Sequence, residues 1–203
     1  MESNKTGQES FDEVQSLQVI REMIAVSHKK IRHDGILFIV WGWIGFLNYW
    51  IGFYQATVVH TYRVGQLLKY GGIILPLAGF IFTAIYLYRQ RNRVTTYIGI
   101  SLRYIWSSLV VCMVLINLIQ NNVLHKITFE FQHPLFMVLI AFAIVVTGGI
   151  LRYRLIIIGG IVFGLLAYLS SYLPLRQQLL AEAIGWLIAF IIPGHILYSK
   201  RKS

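Results

Sequence analysis

The chain has 203 residues, of which 57 % are hydrophobic and only 13 % charged. That balance excludes an ordinary soluble domain and points to a membrane protein. A net charge of +10 raises nucleic acid as a partner, but the basic residues flank apolar spans, so the expected partner is the lipid bilayer with its anionic headgroups and not nucleic acid.

Residues 1–34 are polar, hold six of the eight carboxylates and read as an N-terminal tail, cytoplasmic by the distribution of basic residues. The first apolar stretch after them reads as a retained signal-anchor, because a cleaved signal would begin at the N-terminus. Ser10-Phe11-Asp12-Glu13 is a capping box in which Ser10 caps and Glu13 reaches back. It predicts a helix over about 10–32, with Lys29, Lys30 and Arg32 complementing its C-terminal dipole. Val14, Leu17, Ile20, Ile24 and Ile31 share one face, while Val19, Met23 and Val26 form a second stripe nearly opposite. A helix lying on lipid needs a single apolar face. Two stripes suit protein packing, so Leu17, Ile20, Ile24, Val19 and Met23 are the candidate contacts for a cytoplasmic protein partner or a second copy of the chain.

Glu9-Ser10, Leu17-Gln18-Val19-Ile20-Arg21-Glu22-Met23-Ile24 and Trp41-Gly42-Trp43 together resemble a group of small bacterial inner-membrane proteins of unassigned function. Those proteins likewise place a polar helix before a first span bearing Trp and Gly. The likeness covers roughly the first 50 residues and the general span pattern. This chain departs from it with Gln15-Ser16-Leu17 where the group has Glu-Ser-Leu. The resemblance implies a bacterial inner-membrane location and carries no ligand or catalytic residue across.

Six apolar stretches follow, at about Gly35–Val58, Leu67–Tyr88, Ile98–Ile119, Pro134–Leu151, Leu155–Leu173 and Leu179–Tyr198. A helix crosses the hydrocarbon with about 20 apolar residues and satisfies its own backbone there. The expected fold class is therefore all-α: a polytopic six-helix transmembrane domain over 35–198, preceded by the cytoplasmic helix and followed by a basic cytoplasmic C-terminus at 199–203. Gly35, Gly42 and Gly52, with Gly45 beside them, give the first span a small face for close packing. Gly160 and Gly164 form a small-xxx-small motif in the fifth. Pro76 and Pro193-Gly194 predict kinks. Arg152-Tyr153-Arg154 makes the fourth and fifth spans a tight hairpin, with a re-entrant pair as the alternative. Lys126-Ile127-Thr128-Phe129-Glu130-Phe131-Gln132 alternates apolar and polar residues and reads as a short extended or interfacial segment.

Basic residues orient the spans. Thirteen Lys and Arg fall on the tail, the second-to-third and fourth-to-fifth connections and the C-terminus, against four on the opposite set. Positive charge stays inside, which puts both termini in the cytoplasm. Arg103, just inside the third span, snorkels to the inner headgroups.

Chemistry-bearing residues are few. Intramembrane polar groups are costly to bury, which makes Asn48, Asn117 and Glu182 the candidate functional side chains. Glu182 falls in the first turn of the sixth span, where it favours the helix N-terminus at the outer interface; an ion or proton site is the other reading. Asn48 and Asn117 read as interhelical hydrogen-bonding groups. His125 and His133 share an outer loop that His60 could approach, the only grouping suited to a metal. No Gly-x-Ser-x-Gly elbow, no intramembrane Asp and no phosphate loop is present. Cys112 is the only cysteine, which excludes an internal disulfide and a cysteine-type zinc site. The expected function is a non-enzymatic scaffold, sensor or regulatory subunit with no cofactor. The alternative is a small transporter or channel subunit with Asn48, Asn117 and Glu182 lining a pathway.

Overall fold

The computed structural model describes residues 35–57, 62–89, 97–126 and 128–199. Within them the chain forms helices joined by short turns, with no strand. Helix α1 is Ile36–Thr57, α2 Tyr62–Arg89, α3 Tyr97–Leu124, α4 Phe129–Leu151 and α5 Arg154–Ser170. The last, α6, runs Leu175–Ser199. Five of these helices, all but α5, are long and apolar enough to cross a membrane; α5 is apolar but has only 17 residues.

Helices α4 and α5 form an antiparallel hairpin, α6 packs on both, and α1 packs along α6. Helix α2 leans on α1 and α3 leans on α4, so these two form the flanks. The core lies between α4, α5 and α6, where Met137, Ile144, Ile156, Phe163 and Phe190 are fully or almost fully buried. On the flanks, Ile73, Ile74, Leu77 and Phe80 of α2 and Val111, Val114, Leu118 and Ile119 of α3 are exposed. An exterior this apolar suits hydrocarbon rather than water. With the helix lengths, it makes the chain a multi-pass membrane protein.

Small residues set the two tightest seams. A Cβ at Gly160 would stand 3.0 Å from the backbone nitrogen of Val145, so the hairpin helices are nearly in backbone contact. A Cβ at Gly45 would enter the ring of Trp186, and the α1 glycines thus face α6. The hairpin turn closes through Arg152 in the left-handed conformation, with φ 51° and ψ 41°. The N–H of Tyr153 donates to the carbonyl of Gly148 at 2.9 Å, and that of Arg152 to Gly149 at 3.1 Å. This is a Schellman closure on a non-glycine residue.

The structure moves several expected boundaries. Helix α4 begins at Phe129, not Pro134, so Phe129–Gln132 is helical and not extended. Thr128 starts it, its carbonyl accepting the N–H groups of Phe131 and Gln132 at 3.2 and 3.0 Å. Helix α6 begins at Leu175, one turn before Leu179, because Pro174 sits in extended backbone and its carbonyl accepts from Gln177 and Gln178. Within α6 the residues Leu187–Ile191 form a π-helical turn, and the N–H of Ile192 reaches back five residues to the carbonyl of Leu187. The ring of Pro193 crowds the preceding turn and has no N–H for Ala189, and widening that turn absorbs both effects. Gly159 of α5 lies against this widened backbone, close to Ala189. The predicted tail helix, with Leu17, Val19, Ile20, Met23 and Ile24, and the last four residues lie outside the described residues.

Candidate functional site

Among the described residues six polar side chains are buried: Gln120, Gln132, Thr147, Ser170, Gln178 and Glu182. All but Thr147 lie toward the end of the bundle where α1, α3 and α5 finish and α4 and α6 start. This polar end is built from two kinds of contact.

The first kind repairs proline. Pro76 lacks the N–H that would reach the carbonyl of Gly72 four residues back. Asn48 of α1 supplies the missing donor, its Nδ2 reaching the Gly72 oxygen at 2.6 Å. Pro134 likewise leaves the carbonyl of Glu130 without its helical partner. Gln178 of α6 donates its Nε2 to that oxygen at 3.0 Å and to the carbonyl of Leu173 at 2.9 Å. Neighbouring helices commonly re-satisfy backbone freed by proline inside lipid. Asn48 and Gln178 are therefore structural donors. Asn117 is also used locally. Its Nδ2 donates to the carbonyl of Met113 at 2.9 Å and its Oδ1 accepts from Gln132 of α4 at 2.6 Å, tying α3 to α4.

The second kind has no backbone to repair. Glu182 of α6 is fully buried, and its Oε2 lies 2.8 Å from Nδ1 of His133 on α4. The side chain of His133 is 19 % exposed, so one end of the pair is dry and the other reaches the surface. Tyr49 of α1 interacts with the same carboxyl group. Its ring stands edge-on to His133 at 5.8 Å and is stacked on Trp186 at 6.5 Å. The ring of Phe129 is tilted against the imidazole at 6.5 Å. Three helices thus converge on one carboxyl. The second oxygen of Glu182 has no hydrogen-bond partner among the described residues, and neither does Oε1 of Gln178 one turn earlier.

Glu182 is accordingly not at an exposed interface, as the sequence suggested. The extra turn at the start of α6 makes it the eighth residue of the helix and carries it into the bundle. The three residues singled out from the sequence do not meet in one place. Asn48 serves the α1–α2 contact, Asn117 the α3–α4 contact and Glu182 the α1–α4–α6 junction. Sequence reasoning passed over Tyr49, Gln132 and Gln178 and left His133 in a loop. Gln178 and Glu182, four apart, do share a helix face, a signal that becomes readable only once α6 starts at Leu175. His60 lies outside the described residues, and among those described no three His, Cys, Asp or Glu side chains are gathered to hold a metal. No family model, curated protein or solved structure matches the chain.

Proposed function

We propose that the chain is a six-span protein of the bacterial inner membrane with both termini in the cytoplasm, and that it acts as a scaffold, sensor or regulatory subunit rather than as an enzyme. Its N-terminal segment, through Leu17, Ile20 and Ile24, contacts a cytoplasmic protein. The observation that carries this reading is the dispersal of the intramembrane amides. Asn48 and Asn117 are used at separate helix contacts, whereas a transport pathway needs polar groups converging near the midplane. The transporter alternative keeps only Glu182 of its three lining residues.

The sixth crossing is supported by the hairpin. Helix α5 spans about 25 Å at 17 residues, near the lower limit for a span, and runs back along α4. Six crossings return the C-terminus to the side of the N-terminus, in keeping with the thirteen-to-four distribution of Lys and Arg. In a Cys112→Ala background, Thr128→Cys is expected to react with an impermeant thiol reagent from outside, and Arg91→Cys only from inside. Reversed labelling would overturn the orientation.

Function is tested on the tail. The full chain should co-purify a discrete cytoplasmic protein. Deletion of residues 1–33, or Leu17→Asp with Ile24→Asp, should abolish that recovery while the membrane level stays unchanged. Equal recovery with and without the tail would refute a partner held there.

A further inference from the structure

Asn48, Asn117, Gln132 and Gln178 have structural work, whereas Gln120 has no hydrogen-bond partner among the described residues, and the carboxyl of Glu182 does no work that a glutamine could not do. It repairs no proline and closes no helix end. A lone carboxylate buried there carries a desolvation penalty of several kcal/mol, and among the described residues its only basic partner is an imidazole. Imidazole is the one side chain whose ordinary titration falls near neutral pH. From the geometry we infer that His133 and Glu182 form a proton-binding site that exchanges with water at the polar end of the bundle.

The chemistry balances with a single proton. In the unloaded state neutral His133 donates its Nδ1–H to the carboxylate, and the pair has one negative charge. Loading adds a proton to the Nε2 lone pair of the partly exposed ring, taken from a hydronium ion that leaves as water. The imidazolium then faces the carboxylate across the 2.8 Å contact, and the pair is neutral. In this state the proton between Nδ1 and Oε2 can rest on either atom without changing the net charge. Among the described residues the titratable groups on the elements around the pair are Tyr49 from α1, Glu130 one turn from His133 on α4, Arg176 in the exposed first turn of α6, and His125 and Lys126 just after α3. Among the described residues α5 sends no charged group to the pair, since its Arg154 is at the opposite end. The Oε1 atoms of Glu182 and Gln178, one helical turn apart, are buried acceptors that no described residue satisfies.

The test is a pH titration of the full chain in lipid nanodiscs, with ring-15N histidine and carboxyl-13C glutamate. Signals are assigned by their loss in His133→Gln and Glu182→Gln. In the unsubstituted chain the His133 ring and the Glu182 carboxyl should change with one common midpoint. In Glu182→Gln the His133 ring should need about tenfold more protons to load, because the carboxylate that favours the imidazolium is gone. Independent midpoints for the two groups, or a His133 ring that does not titrate, would overturn the site. So would an unchanged midpoint in Glu182→Gln. The His133 ring is assigned from His133→Gln alone and titrated in the unsubstituted chain, so a ring that does not titrate refutes the inference even if Glu182→Gln does not fold. It holds or fails separately from the tail partner.

Discussion

His133→Ala is expected to lower the stability of the bundle by about 3–5 kcal/mol, the usual cost of removing one partner of a buried pair. The loss comes from what remains. Glu182 stays fully buried, its Oε1 already lacks a partner, and Oε2 loses the 2.8 Å contact. Among the described residues Tyr49 is then the one polar group left interacting with the carboxyl. Denaturant or thermal unfolding of the purified chain in detergent reads the effect. His133→Gln should recover part of the loss, because an amide at that position still offers an N–H donor. Adding Glu182→Gln to His133→Ala should also recover stability, since no charge is then left buried. The two substitutions therefore couple, and a double-mutant cycle measures by how much. A His133→Ala chain within about 0.5 kcal/mol of the original, the range of ordinary surface changes, would show that the carboxyl does not depend on the imidazole.

The architecture was legible in the sequence where it depends on length and on small residues. Twenty-odd apolar residues forced each long helix, and the glycines of the first span marked a face for close packing, which the structure lays against α6. The Arg152-Tyr153-Arg154 connection likewise marked the hairpin. The polar end was not legible, for a definite reason. Hydropathy measures what a side chain costs in lipid. At the start of α4 and α6 the polar side chains instead satisfy one another or a backbone carbonyl inside the protein. Gln132, His133, Gln178 and Glu182 therefore appeared to lie in or near loops, and both helices were read about one turn short. Starting α4 at Pro134 excluded His133 from the helix, and starting α6 at Leu179 placed Glu182 in a first turn. The partnership was hidden by the same shift twice. Proline repair was invisible in another way. The sequence displays the prolines and the amides, but the donor that serves Gly72 is 24 residues away and the one that serves Glu130 is 48 away. Only the packed bundle brings them together.

That repair gives the second large expected effect. Asn48→Ala should cost about 1–2 kcal/mol, more than an average interhelical hydrogen bond, because it leaves the Gly72 carbonyl without any N–H inside an apolar helix. The size of the loss should depend on Pro76. In a Pro76→Ala chain residue 76 regains its N–H, and the helix can bond Gly72 by itself. Asn48→Ala made in that background should then cost little, since the donor it removes is no longer needed. Trp41 provides an internal control on the same helix contact. Its Nε1–H donates to Thr83 at 3.0 Å, and Thr83 in turn donates to Gly79, with no proline involved. Thr83→Val should thus cost the same with proline or alanine at position 76. The measurement is unfolding of the four-member Asn48/Pro76 set in detergent, with Thr83→Val made in both backgrounds. Equal losses from Asn48→Ala with and without Pro76 would mean that the amide holds α1 to α2 as a simple contact and that proline has no part in its placement.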